Sequence, residues 1–445
     1  MMRTSASHPF PRLRAAARCA VLAASLLVAA AAQAELQVDI TKGVTDPIPV
    51  AVVPFARSVP ADAGIDVAAI VQRDLESSGR FKGMDRKDML SSPVRGKDVR
   101  VADWRAARND YLVVGRVVTP SATQVTLEFE LLNLLTGQTL LDQQVSVPPA
   151  SLRYGAHRVA DLIYEKITGT RGAFATRIAY VSVNGRTTGQ RYQLLRADAD
   201  GENIRTMFES PQPIMSPAWS PDGQWIAYVS FENHMAAVFL QNAATGVRRQ
   251  VSARAGINGA PAFSPDGTKL ALTLSGSSGN LDVFVLDLAT QALTRITDDP
   301  AIDTEPTWSP DGRSLYFTSD RSGGPQVYRV AAQGGEAPKR VSFGVSYASR
   351  PRVSPDGTQL AMGVRDGGGY RIAVQDLASG QLRILTRGTL DESPSFAPNG
   401  SQLIYASRER GQGVLAIVSV DGQVSQRLKS DQGEVREPVW GPFSN

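Results

Sequence analysis

The stretch PAWSPDG at 217–223 returns as PAFSPDG at 261–267, PTWSPDG at 306–312, PRVSPDG at 351–357, PSFAPNG at 394–400 and, in shortened form, PVWGP at 438–442. Its proline recurs every 43 to 45 residues. A period of this length, with several strand-like runs in each unit, marks a β-propeller, because one blade cannot bury both of its faces without neighbours. Within a unit, SPDG reads as a tight turn: proline presets φ and glycine accepts positive φ. A strand follows each turn, as in IAYVS (226–230), LALTLS (270–275), LYFTS (315–319), LAMGV (360–364) and LIYAS (403–407). Third runs such as Val283–Leu286 and Val327–Val330 end in turns like ATG (244–246), QGG (333–335) and ASG (378–380). Fourth runs such as LTRIT (293–297) and LRILT (382–386) belong at the outer edge. The motif positions Trp219, Phe263, Trp308, Val353, Phe396 and Trp440 are expected to pack between blades.

Two incomplete units complement each other. Residues 177–182 (RIAYVS) match the second strand of a blade, and 191–197 and 203–208 match its third and fourth, yet no PxWSPDG precedes them. The copy at 438–442 has only the first strand. The C-terminal strand is therefore expected to complete the first blade and lock the ring, leaving no unpaired edge.

Working outward, residues 47–168 carry no repeat and read as a small α/β domain. Helical spacing of Ile65, Ala69 and Leu75 predicts a helix over 65–78 with Gly79 to end it, and 151–167 predicts a final helix. Residues 111–118 read as a buried strand, and Val125, Leu127, Phe129 and Leu131 alternate as a half-exposed one. Thr136-Gly137 turns the chain into a third strand at 138–147, and Gly169 to Gly172 link the domains. The fold class expected is multidomain α/β plus all-β: this domain, then a six-bladed β-propeller over 172–445.

The first 34 residues read as a cleaved secretory signal. Arg3, Arg12, Arg14 and Arg18 precede the apolar run 19–32, and Ala32-Gln33-Ala34 suits cleavage. Fourteen mostly small apolar residues fall short of the roughly 20 that span a bilayer. Cys19 precedes the run, so no lipid anchor is implied. The net charge of +4 comes from those four arginines, and the remaining chain is neutral. A neutral surface offers no basic excess for nucleic acid or an anionic membrane. With Cys19 removed, no disulfide or cysteine metal site is available. In 35–46, Leu36, Val38 and Ile40 alternate with polar residues, the pattern of a strand able to add to another protein's sheet edge or to pair with its own domain.

Several stretches together bring a family into view: PIPVAVVPF at 47–55, LRYGAHRVAD at 152–161, GAFATRIAYV at 172–181, SPQPIMSPAWSPDG at 210–223, NGAPAFSPDG at 258–267 and TEPTWSPDG at 304–312. With the AQA signal end, the chain resembles the TolB family along nearly its whole length. That resemblance implies a periplasmic monomer of the Tol-Pal system, linking inner-membrane Tol proteins to the outer-membrane lipoprotein Pal and supporting envelope integrity and constriction at division. It implies that Pal docks at one mouth of the propeller. Loops just before the repeated prolines would line it, giving Ile257, Asn258, Gly259, Ala260, Asp303, Thr304 and Glu305 as candidates, with Met215, Arg350, Glu392 and Glu437 as the weaker set. TolA would engage the leading strand: Glu35, Leu36, Gln37, Val38, Asp39, Ile40, Thr41, Lys42, Gly43, Val44, Thr45 and Asp46. The position of Ile257 is often polar in that family.

Two rival classes remain, a propeller-channel hydrolase and a scaffold for small ligands. Against the hydrolase, the chain has no GxSxG elbow, no GxxxxGK[ST] loop and no HExxH. His157, on a helix face, and His234, in an inter-strand loop, are expected to be structural or solvated. Asp222, Asp266, Asp311 and Asp356 recur in every SPDG and read as turn formers. Asp198-Ala199-Asp200-Gly201 resembles the start of a calcium loop but lacks the terminal ligand, which favours a hairpin turn. Asp303, Glu305, Asp391, Glu392, Glu434 and Glu437 could converge near the channel as an acidic docking surface. No cofactor and no catalytic residue is expected.

Overall fold

The computed structural model describes residues 46–57, 64–185, 189–276, 279–428 and 433–444. The expected signal, and the leading segment apart from Asp46, lie outside the described residues. The N-terminal sheet comprises β1 (Ile48–Val52), β2 (Ala56–Arg57), β3 (Phe81–Gly83), β4 (Tyr111–Ser121), β5 (Gln124–Asn133) and β6 (Gln138–Val147). Its order is β3-β1-β4-β5-β6, with β2 alongside β4. Three helices accompany it: α1 (Val67–Ser77), α2 (Val101–Ala106) and α3 (Leu152–Thr168).

Alternation along β4 explains the layering. Val113 and Val117 pack with α1 and α3, and Leu112 and Val114 pack with Trp104 of α2 on the opposite face. A strand covered on both sides must be apolar at consecutive positions, as 111–118 is. Asp66 caps α1 by accepting the amide of Ala69 at 3.0 Å. Gly169 ends α3 at φ +75°, in the left-handed region open to glycine.

The rest of the chain forms six four-stranded antiparallel blades. Five are continuous in sequence, over 214–252, 258–295, 303–340, 348–384 and 392–428, and are called blades 2 to 6. Blade 1 is composite: Glu434–Trp440 pairs with Arg177–Asn184, followed by Arg191–Asp198 and Arg205–Ser210. The register sets Val435 opposite Ser182 and Trp440 opposite Ile178. The expected closure by the C-terminal strand is thus observed. The first strands of neighbouring blades contact one another around the ring and form its inner wall.

Each aromatic or branched motif residue packs where two blades meet. Trp219 joins blades 1 and 2, Phe263 blades 2 and 3, Trp308 blades 3 and 4, Val353 blades 4 and 5, Phe396 blades 5 and 6, and Trp440 blades 6 and 1. The SPDG aspartates are turn formers, as expected. Asp266 Oδ1 accepts the amide of Thr268 at 3.0 Å, while Ser264 Oγ accepts the amide of Lys269 at 2.9 Å.

All inner strands run toward the face that carries the SPDG turns, and the N-terminal domain sits on that face. Gln402 Nε2 donates to the carbonyl of Ser77 at 3.3 Å, and Asn399 Nδ2 to that of Arg171 at 2.9 Å. A Cβ added to Gly79 would meet Val424 Cγ2 at 2.2 Å, so glycine there serves close domain packing as well as its positive φ of 68°. Among the described residues, the contacts of the N-terminal domain with the ring named above all lie on the turn face and none on the far face.

Trp440 is buried and donates from Nε1 to Thr176 Oγ1 at 2.8 Å, a bond that spans the closure. Trp440→Ala is expected to lower unfolding free energy by about 3–5 kcal/mol, read from urea denaturation. Val247→Ala, at an exposed turn of blade 2, should change it by less than about 0.5 kcal/mol.

Candidate functional site

The repeated proline produces a feature that repeats in all six blades. The residue before it has a left-handed backbone: φ is 51° at Ser216, 43° at Ala260, 56° at Glu305, 52° at Arg350, 56° at Ser393 and 51° at Glu437. At each of these positions the pairing with the next strand shifts register, which is a β-bulge. Proline is tolerated at a bulge because the ladder asks for no donor there. The bulge interrupts strict alternation, and the six residues gather on the propeller axis. They line a narrow cavity of about 40 Å³ together with Arg352 and four of the prolines.

Two of the four charged residues in this cavity, Glu305 and Arg350, form an ion pair. Arg350 Nε meets Glu305 Oε1 at 2.9 Å, and its guanidinium also donates to Ser393 Oγ. Glu305 Oε2 accepts the amide of Arg350 and the hydroxyl of Thr318, each at 3.0 Å. Glu437 accepts the amide of Ser216. Burial disfavours the Arg350 charge, but attraction by Glu305, Glu437 and Glu392 outweighs this and holds its pKa above the ordinary value. Arg352 is shifted the other way by burial, with Arg350 adding to the effect.

Several sequence expectations need correction. Apart from Ile257, the candidate residues before the prolines are not in loops: they belong to the inner strands Ile214–Trp219, Asn258–Phe263, Asp303–Trp308, Ala348–Val353, Glu392–Phe396 and Glu434–Trp440. Asn258 and Asp303 are buried and serve the fold. Asn258 accepts from Ser252 and donates to the carbonyl of Arg254, and Asp303 binds Arg321 at 2.7 Å. The six acidic residues do not converge. Asp391 is buried and accepts from Ser407 and the amide of Gly388, and Glu434 pairs with Arg408 at the surface. Glu305 and Glu437 reach the axial cavity, while Gly259, Thr304 and Glu392 are partly exposed along the inner wall.

The far face adds residues that pattern reading missed. Met215 and Ile257, already candidates, are 36% and 45% exposed; Met235, Ile302 and Tyr370 are 62%, 46% and 37% exposed. Ile257 and Ile302 stand immediately before the inner strands of blades 3 and 4, and Met235 lies in the far-face hairpin of blade 2. An apolar residue one position before a strand gives no periodic signal, although its recurrence ahead of two blades is visible in hindsight. Blades 6 and 1 present exposed ion pairs at this face, Arg408–Glu434 and Arg427–Glu409. On the described far face the exposed apolar side chains thus stand on blades 2 to 5, interspersed there with ion pairs such as Arg295–Asp298 and Arg371–Asp366.

A sheet domain set on the turn face of a six-bladed ring, with a bulged inner wall, can be compared with known proteins. One family model, the TolB amino-terminal domain, matches residues 36–140, and a second, the TolB β-propeller domain, matches 164–444. The chain belongs to the TolB family. A relative from Thioalkalivibrio sulfidiphilus is 53% identical over 93% of this chain and 95% of its own length. One from Methylococcus capsulatus is 54% identical over 94% of this chain and 97% of its own. Both are named Tol-Pal system protein TolB. The crystal structure of TolB from Acinetobacter baumannii superposes with a TM-score of 0.84 at 41% identity, covering 92% of this chain and all of that one. Family membership matches the resemblance that the repeat and the N-terminal stretches imply.

The left-handed backbone at Ala260 carries a steric cost that glycine would not, on the order of 1–2 kcal/mol, set against glycine's greater freedom in the unfolded chain. Ala260→Gly is expected to raise stability by about 0.5–1 kcal/mol in chemical denaturation.

Proposed function

We propose that this protein is a periplasmic, non-enzymatic component of the Tol-Pal system that binds Pal on the far face of its propeller and TolA through residues 35–46. The far face supports the first assignment. None of the described N-terminal domain contacts lies on it, it carries the exposed Met215, Met235, Ile257, Ile302 and Tyr370, and the ring axis holds a cavity with a few fixed polar groups. Exposed apolar side chains of this kind, interspersed with ion pairs, have the composition of a protein-binding surface. The names of the relatives supply the system. Of the first candidates, Ile257, Gly259, Ala260, Thr304 and Glu305 remain, with Met215, Arg350, Glu392 and Glu437 around them, and Ile302, Met235 and Tyr370 join the set.

The second assignment rests on the alternation of Leu36, Val38 and Ile40, which suits strand addition to a partner's sheet. No helix among the described residues is long and apolar enough to cross a membrane. The protein would then link two membrane-attached partners as a monomer, supporting outer-membrane integrity and constriction. A catalytic reading of the axis is disfavoured because Glu305, the acidic group best placed there, is held by Arg350 and two further hydrogen bonds.

The test is calorimetric titration with the soluble domain of Pal. Ile257→Glu combined with Ile302→Glu is expected to weaken binding at least tenfold while leaving the thermal midpoint unchanged, since both side chains are exposed. Unaltered affinity would remove the far face as the Pal site. In parallel, deleting 35–46 should abolish TolA binding and leave Pal binding intact.

A further inference from the structure

The helix α3 faces the propeller with three side chains on successive turns, Arg153, His157 and Asp161. Spacing of four residues stacks them on one side of the helix. His157 is buried, and its Nδ1 lies 2.7 Å from Asp74 Oδ2 on α1. Its Nε2 has no hydrogen-bond partner and faces Asp198 Oδ2 and Asp200 Oδ2, each at 4.0 Å. Those two carboxylates belong to blade 1, at the Asp198-Ala199-Asp200-Gly201 turn. Arg153 reaches the same pair, with Nε 3.1 Å from Asp198 and a second bond to Asp200. One turn further on, Asp161 accepts the amide of Phe174 at 2.8 Å and so holds the segment that connects the domains.

We propose that Arg153 and His157 form an electrostatic latch, in which two cations of the N-terminal domain grip the Asp198/Asp200 turn of blade 1, and loss of the imidazole proton loosens the domain interface while both domains stay folded.

The charges facing the imidazole decide this. Among the described residues, Asp74 lies on one side, Asp198 and Asp200 on the other, and Arg153 is the cation paired with the latter two. A protonated ring offsets the excess of carboxylates, whereas a neutral ring leaves buried negative charges in need of a partner. Burial works against the charge, but the attraction and hydrogen bond of Asp74, with Asp200 beyond, push the pKa of His157 up to about 9. A pKa raised on folding means that the latch contributes in full below the unfolded value near 6.5, and that its contribution fades as pH rises through about 9. Release by alkali follows from the sign. Because the gripping carboxylates come from the propeller and the cations from α3, the loosened element is the interface and not either core.

The experiment uses the chain without residues 1–34, which removes its single cysteine, Cys19. Spin labels are placed at Leu135→Cys in the N-terminal domain and Val247→Cys in blade 2, both exposed positions, and the interlabel distance distribution is measured by pulsed electron resonance at pH 7 and pH 10. The unmodified latch should give a narrow distribution at pH 7 that broadens at least twofold at pH 10. His157→Gln, which keeps a donor for Asp74 but cannot carry charge, should be broad at both pH values, and Asp200→Asn should behave likewise from the propeller side. Far-ultraviolet circular dichroism should show both variants folded. A distribution in His157→Gln as narrow as that of the parent at pH 7 would overturn the proposal, as would a parent distribution unchanged at pH 10. Addition of Zn²⁺ provides a third arm. A side-chain nitrogen or oxygen of each of Asp74, His157 and Asp200 lies within 4.8 Å of the others, and a His157-dependent change of the distribution on adding stoichiometric Zn²⁺ at pH 7 would also overturn it.

Discussion

The pairing of Glu434–Trp440 with Arg177–Asn184 is the contact on which the ring depends. A propeller blade covers one face with each neighbour, so an open ring would leave two apolar blade faces and an inner strand edge in water. Here the two chain ends of the ring meet in one sheet, and opening it must break a run of ladder hydrogen bonds together with the packing of Trp440 between blades 6 and 1. Closure couples all six inter-blade cores, because no blade can shift outward without separating from its neighbours.

Closure also fixes the geometry of the axis. Six inner strands converge there, and the proline of each repeat places a bulge at the same height in every blade. The fold is thereby sixfold, but the side chains it gathers are not: serine, alanine, glutamate, arginine, serine and glutamate occupy the six equivalent positions. A symmetric scaffold thus presents an asymmetric surface. The exposed apolar groups stand over blades 2 to 5 and not over blades 6 and 1 among the described residues, an uneven distribution that lets a partner be held in one orientation.

The N-terminal domain meets the opposite face through a contact of different character. Glycine against Val424 and amide donors from Gln402 and Asn399 give close packing, while Arg153 and His157 meet the carboxylates of blade 1. Buried charge pairs of this kind add little net stability compared with apolar packing, but they are costly to break singly. They therefore favour a defined docking over a merely tight one.

The repeat by itself determined the ring: its period set the blade, its count set the number, and the two complementary fragments set the closure, since each follows from local turn chemistry and strand patterning that recur along the chain. The helices α1 and α3 and the strands β4 to β6 were legible for the same reason. The short strand Phe81–Gly83 and helix α2 were not, because three or six residues carry too little periodicity to be seen. The site was legible only in outline. The strip before each proline was found, yet Asn258 and Asp303 within it turned out to be buried, and Ile302 and Met235 outside it to be exposed. Sequence alternation cannot report which side chain a bulge turns to the axis. Nor could it report that His157 lies beside Asp200, because the two stand on different domains that meet only in the folded chain, and only the tertiary structure decides which charges share a buried space.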